Sequence, residues 1–271
     1  MNDALGDRMK SYEAVESGRR LMPLLPALAR IDGRAFHSFT NGMDCPFDSK
    51  LHDCMLGTTI TLVKDTGALV GYTQSDEITL LWCVKDSREQ MWFDGRIQKM
   101  TSQLAAQATL IFYALVSERM PQYARRMPTF DARVWNVPTK AEAVNVLVWR
   151  ELDATRNSIS MAAQAHYSHK QLNEKDTSQM QDMLHTVGVN WNDYLPWMKR
   201  GSYVQRRTVE GRGFTPEEIA ALPPKHDARK DPEMTVKRSV VAIVDMPPIL
   251  TVVNREAVIF DGAEPVTGVG G

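Results

Sequence analysis

The sequence predicts an α+β fold: a ferredoxin-like βαββαβ sheet carrying additional helices and C-terminal β-strands. Three observations lead there. A short extended run at residues 27–31 precedes a stretch of helical period, and two extended runs at residues 68–74 and 77–84 are separated by only two residues. A proline-free stripe of helical period over residues 95–120 then gives way to strict alternation over residues 129–135.

Taken in order, Leu5, Met9 and Tyr12 recur at helical spacing over residues 5–17, and Pro23 and Pro26 stop that helix. Residues 27–31 read as a strand that ends in the turn chemistry of Asp32-Gly33. Asp48 is the N-cap of a helix that runs through Leu51, Met55, Thr59 and Leu62 to about Lys64, and Gly67 closes it. The next two strands leave room only for a tight hairpin at Ser75-Asp76. Ile97, Met100, Leu104, Ala108, Phe112 and Leu115 mark one face of the following helix, and Phe130, Ala132 and Val134 alternate against Asp131 and Arg133 in the strand after it. A second long helix is expected from Thr139 to about His166, followed by a more polar helical stretch. Residues 201–232, rich in Gly, Pro and charge, read as a loop that orders on binding, part of a basic segment near residues 199–232. The tail resumes β character at residues 239–245, 249–253 and 257–260. Residues 1–136 thus form the expected core, with residues 137–271 packed on it.

Bulk properties narrow the function. The 271 residues are 43% hydrophobic and 24% charged, near the soluble average, and no apolar run is long enough to span a bilayer. The start lacks a basic flank leading into an apolar stretch, so the expected compartment is the cytoplasm. A net charge of −1 excludes an extended basic coat, and any nucleic-acid surface must be local. Cys45, Cys54 and Cys83 have neither metal-site spacing nor an even count, and read as small, partly buried apolar residues. His166 and His169 lack a third ligand at zinc spacing.

The topology makes one chemical inference. In the ferredoxin-like order the first and third strands lie side by side and antiparallel, so Asp32 converges with Asp76 and Glu77 at one sheet edge. A carboxylate pair of this kind suits Mg²⁺, which takes oxygen ligands and shares itself with substrate phosphates. Each of the two also has the plainer reading of a turn residue. Arg96 and Lys99, at the start of the long helix, are candidates for neutralising a triphosphate, or simply a solvated helix face. Lys199, Arg200, Arg206 and Arg207 could contact RNA, or form a charged surface loop. His37 could touch a nucleotide or cap a loop, while Trp149 and Phe112 read as core.

Longer motifs now point to a family. Residues 6–13 (GDRMKSYE), 30–40 (RIDGRAFHSFT), 71–77 (GYTQSDE), 93–99 (FDGRIQK), 130–133 (FDAR) and 149–153 (WRELD) together resemble the tRNA-His guanylyltransferase superfamily. The resemblance implies a polymerase-palm core that adds nucleotides to the 5′ end of tRNA in the 3′-to-5′ direction. The 5′ end is first activated with a nucleoside triphosphate, ATP or GTP, and the 3′-hydroxyl of the incoming nucleotide then attacks. It further implies two Mg²⁺ ions on Asp32, Asp76 and the Gly33 carbonyl, with Glu77 assisting. Phe36, His37, Ser75, Arg96, Lys99 and Asn157 would surround the nucleotide, and the assembly would be a homotetramer or homodimer. One departure bears on substrate. Guanylate-adding members carry a His-Ile-Asn-Asn type stretch where this chain has Ala154-Thr-Arg-Asn-Ser158. That resembles the branch that repairs 5′-truncated tRNAs by template. The alternatives are guanylate addition to histidine tRNA, a nucleotidyl cyclase, and an inactive tRNA-binding module.

Overall fold

The computed structural model describes residues 4–84, 86 and 89–268. Helix α1 (Ala4–Ser17) buries none of its side chains, and its apolar stripe of Leu5, Met9 and Tyr12 stays exposed. Strand β1 (Ala27–Arg34) enters the core on Ala27, Leu28, Ala29 and Ile31. It does not stop at Asp32-Gly33 as turn chemistry predicted, because ladder pairing carries it to Arg34. After the single turn α2 (Phe36–Phe39), helix α3 (Ser49–Thr66) starts where Asp48 accepts the Leu51 amide at 2.9 Å. It ends where Gly67 takes a φ of 72°, a left-handed conformation that needs no Cβ. The hairpin β2 (Val70–Gln74) and β3 (Glu77–Trp82) leads to α4 (Ile97–Arg119), α5 (Pro121–Ala124) and β4 (Thr129–Asn136). Thr139 then caps the long helix α6 (Lys140–Gln164), and the short helices α7 (His169–Leu172), α8 (Thr177–Thr186) and α9 (Pro196–Arg200) follow.

The expected loop at residues 201–232 is largely something else. Strand β5 (Ser202–Arg212) joins the sheet beside β2, and after α10 (Pro216–Ala221) strand β6 (Thr235–Val244) pairs with β5. Its charges concealed it. Arg206 donates to the carbonyls of Val63 at 2.6 Å and Lys64 at 3.1 Å, satisfying the last turn of α3, and so belongs to the fold. The tail also departs from expectation beyond β6. Residues 249–251 form a 3₁₀ turn (Ile249–Thr251), and residues 257–260 lie within helix α11 (Arg255–Asp261). Short apolar runs do not separate a buried helix from a buried strand by periodicity.

The sheet order is β4-β1-β3-β2-β5-β6, a ferredoxin-like core extended by two strands. Successive residues of β1 serve opposite layers, as the two-residue period of a strand requires. Ala29 and Ile31 pack with Ile78, Leu80, Leu62, Leu104 and Phe112 beneath α3 and α4. Leu28 packs with Leu81, Tyr72, Leu147 and Tyr203 beneath α6 and α11. Cys54 is buried, Cys83 is partly buried, and Cys45 is exposed. Among the described residues no helix is long and apolar enough to cross a membrane.

Glu151 binds this second layer together. Buried to 4% exposure, it accepts hydrogen bonds from the Tyr203 hydroxyl and the Ile249 amide, both at 2.8 Å. Burial pushes its carboxyl up, and these two bonds oppose that shift. Replacing it strands two buried donors at ~1–3 kcal/mol each, so Glu151→Leu is expected to lower the unfolding free energy by about 2–6 kcal/mol. Urea unfolding with an unchanged m-value would show it.

Candidate active site

Register assembles the acidic edge. Asp32 on β1 stands directly opposite Glu77 on β3 and opposite Asp131 on β4. Two-residue alternation puts Arg30 and Asp32 on the Leu28 side of the sheet, facing α6. The hairpin turn delivers Asp76: Ser75 adopts a φ of 54°, as the first position of a type II′ turn does, and the Asp76 carbonyl accepts the Gly33 amide at 3.1 Å. A Cβ on Gly33 would lie 2.3 Å from the Phe36 ring, so glycine lets β1 pass this close to α2. Burial pushes the Asp76 carboxyl up, with the Asp32 charge adding to it, while hydrogen bonds from the Asp76 backbone and Ser75 pull it back. A cation placed between the two carboxylates would relieve that repulsion.

Glu77 faces an internal partner instead. Arg150 Nε donates to Glu77 Oε1 at 2.6 Å and Arg150 Nη2 donates to Oε2 at 2.9 Å. The same Nη2 reaches Asp153 Oδ2 at 2.9 Å, so one guanidinium ties β3 to two turns of α6. Arg30 Nε lies 3.8 Å from Glu77 Oε2. Burial pushes the Glu77 carboxyl up, and the Arg150 and Arg30 charges pull it down. Arg150, Asp153, Asn157, Ser160 and Gln164 recur at helical spacing and form one wall of a cavity of about 380 Å³, whose other wall is Asp32, Gln74, Ser75, Asp76 and Glu77. A second cavity of about 170 Å³ shares Gln74, Ser75 and Met161 with the first, and Phe47, Leu51, His52 and Trp197 give it an apolar lining.

The structure therefore gathers Asp32, Asp76, Glu77, Ser75 and Asn157 around one space, with Gly33 beside it. It does not gather the others. The Phe36 ring is buried among Phe39, Phe112 and Phe130 at centroid distances of 5.0 to 5.5 Å, so the side chain belongs to the core. His37 is exposed and contacts the Ser38 hydroxyl at 3.1 Å. Arg96 and Lys99 stand at the opposite end of the sheet. Arg96 bridges to Arg20 and Gly95 accepts the Leu21 amide, next to the start of β1, roughly 17 Å of strand from Asp32. Lys99 lies over the Phe93 ring.

The basic cluster is dispersed as well. Lys199 donates to the Asn192 carbonyl at 2.6 Å and Arg207 pairs with Glu264 at 2.8 Å. Arg206 caps α3, on the opposite face of β5 from Arg207, and Arg200 closes α9. Sequence reasoning passed over Arg150 and Asp153. The signal was the polar stripe 150-153-157-160-164 along one face of the helix. It also placed Trp149 in the core, whereas that ring is 49% exposed and stacks against the Arg150 guanidinium at 4.5 Å.

The donors fit Mg²⁺. Among the described residues no group of three or more His, Cys, Asp or Glu side chains is placed to hold a metal ion, and with Glu77 and Asp153 engaged by Arg150 the set is the two carboxylates Asp32 and Asp76 with the Gly33 backbone beside them. That all-oxygen, two-carboxylate set is what a site completed by substrate phosphates requires.

Comparison with known proteins adds to this geometry. The profile of the tRNAHis guanylyltransferase family matches residues 6–138. The chain superposes on a bacterial tRNA(His) guanylyltransferase-like protein in complex with ATP at a TM-score of 0.76 and 33% identity, covering 95% of this chain and 99% of that one. A GTP complex of a bacterial tRNA(His) guanylyltransferase-like protein matches at a TM-score of 0.69 and 31% identity, over 92% and 94% of the two chains. The tRNA(His) guanylyltransferase of Schizosaccharomyces pombe is 23% identical over 216 residues, covering 74% of this chain and 80% of that protein.

Proposed function

Since the chain belongs to the tRNAHis guanylyltransferase family of nucleotidyltransferases, we propose that it repairs the 5′ ends of truncated tRNAs by template-directed, 3′-to-5′ nucleotide addition. The observation that carries the reading is the meeting of Asp32, Asp76 and the Arg150-bound Glu77 in one cavity large enough for a triphosphate. Two Mg²⁺ ions held by Asp32, Asp76 and the Gly33 carbonyl would supply the charge neutralisation that in-line phosphoryl transfer needs. Asp76 would hold them from the hairpin turn, and Asp32 from a strand paired on both sides. Glu77, locked by Arg150, acts as a positioning residue that steadies the field between them. Asn157 and Ser75 offer hydrogen bonds to the nucleotide from the two walls, and His37 remains within the same β1–α2 segment. The apolar cavity beside Ser75 suits a nucleobase, and the ATP and GTP complexes of the bacterial relatives support nucleoside triphosphates as both activator and incoming substrate.

Within one chain, Arg96 and Lys99 stand away from this cavity, so the neutralisation expected of them would fall to ions held by Asp32 and Asp76. Lys199 and Arg200 on α9 remain candidate RNA contacts, while the internal roles of Arg206 and Arg207 leave them little to offer a ligand. We place the enzyme in the cytoplasm as a homodimer or homotetramer acting on tRNA.

The stretch 154–158 shapes the choice of substrate. Ala154 and Ser158 are buried, Arg156 pairs with Asp153, and Asn157 alone among them lines the cavity. With so little side-chain readout, base pairing to the acceptor strand selects the incoming nucleotide, since a mismatched pair misplaces the attacking hydroxyl. A tRNA lacking its first 5′ nucleotide, given ATP, all four triphosphates and Mg²⁺, is expected to gain the complementary base. Its kcat/KM should be at least ~10-fold above that for guanylate addition opposite adenosine on intact histidine tRNA. A preference for the untemplated guanylate would sink the repair reading, and a cyclic nucleotide as product would replace it with a cyclase.

A further inference from the structure

The sheet has two free edges that differ in kind. At one, β4 presents the exposed charges Asp131 and Arg133, the ordinary protection of an edge strand. At the other, residues 239–244 of β6 read Ser-Val-Val-Ala-Ile-Val, with no charge and no proline. Among the described residues the ladder to β5 is the only backbone pairing of residues 235–244, which leaves a row of amides and carbonyls facing outward. Ile243 is 57% exposed, and Leu195, 55% exposed, lines the same surface depression. A bare apolar edge is a template for another strand, and folded proteins do not ordinarily leave one uncovered.

The charges flanking this run indicate what covers it. Lys237 precedes the apolar stretch and Asp245 follows it; both are exposed. Lys237 reaches only the exposed Glu210, at 3.6 Å, and Asp245 has no ion partner among the described residues. In an antiparallel pair related by a two-fold axis, opposed residues must share a face of the sheet, so their numbers add to an even sum. Centring the axis on Val241 sets Lys237 opposite Asp245 of the partner subunit and Ser239 opposite Ile243 of the partner subunit. The symmetry repeats each contact, so both ends of the strand pair close on opposite charges. We propose that β6 is the docking edge for a second copy of this chain, making one continuous sheet across the dimer. This deepens the assembly assigned above and rests on nothing in the reaction.

Light scattering across a dilution series reads the assembly directly. Lys237→Glu should weaken dimerisation by ~10-fold, since like charges then meet at both ends, and Lys237→Glu/Asp245→Lys should restore it. In a Cys45→Ser background, Ser239→Cys/Ile243→Cys should form an interchain disulfide on mild oxidation, while either cysteine alone should not. Circular dichroism and unfolding midpoints equal to wild type would establish that each variant is folded. A dimer that ignores the charge changes and yields no cross-link overturns pairing through β6 while leaving assembly intact. A monomer at every concentration overturns both.

Discussion

Asp76→Ala is expected to abolish nucleotide addition while leaving tRNA binding close to wild type. Asp76 supplies one of the two carboxylates at the proposed ion site, and its backbone is held at the tip of a turn by the bond from the Gly33 amide to its carbonyl, which alanine would keep. Losing it removes several kcal/mol of charge stabilisation in the transition state, a fall of at least ~10³-fold in kcat. The proposed RNA contacts on α9 are untouched, so filter binding of labelled tRNA should change by less than ~3-fold. Titrating Mg²⁺ or Mn²⁺ against the variant separates a lost ligand from a lost fold. Near-normal turnover at ordinary Mg²⁺ would show that the ions sit elsewhere.

Arg150→Ala should damage both stability and chemistry, through a different route. Arg150 and Glu77 are 11% and 16% exposed in their side chains and share a bidentate pair. Removing the arginine leaves the buried Glu77 carboxylate with only Arg30, at 3.8 Å and without a hydrogen bond, to offset Asp32 and Asp76, at a cost of about 3 kcal/mol. It also leaves Asp153 to Arg156 alone and lets Glu77 drift towards the proposed ion site. We expect kcat to fall by ~10²-fold, in keeping with the sensitivity of catalysis to small misplacements. Arg150→Lys keeps the charge but cannot span both carboxylates, so it should recover stability more than rate. The discriminating variant is Glu77→Gln/Arg150→Met. It removes the pair together and should regain much of the lost stability, because no carboxylate is then left without its bidentate partner. Rate should stay low. If Arg150→Ala unfolds and turns over like wild type, the clamp is ornamental.

Sequence alone carried the core of this picture and lost its periphery. Strict alternation, the N-cap at Asp48, the stop at Gly67 and a two-residue hairpin are local signals, and each fixed its element to within a few residues. The convergence of Asp32 with Asp76 and Glu77 needed only the βαββ order, since antiparallel pairing leaves no other place for them. Arg206 shows why β5 was missed. Its charge serves a helix end far away in sequence, and composition cannot tell a solvated arginine from one that caps carbonyls. Arg96 and Lys99 lie away from the acidic cavity for the opposite reason: their helix was read correctly, but which end of the sheet it starts from depends on the crossover, not on the helix. Arg150 lay inside a recognised motif, yet its role appears only when α6 is laid across the face that carries Glu77.

The opposition of Asp32 and Glu77 makes the active centre a matter of parity. Side chains on a strand face one way or the other by odd and even count, so a one-residue slip of β1 would turn Asp32 towards Phe112 and the apolar layer. Two residues of slip would restore its facing but move it past its partner. A chain that collapsed in either wrong register could be compact and helical and still be chemically silent. Turnover is therefore a more stringent witness of correct strand alignment than any spectrum of the folded protein, because it counts residues one at a time.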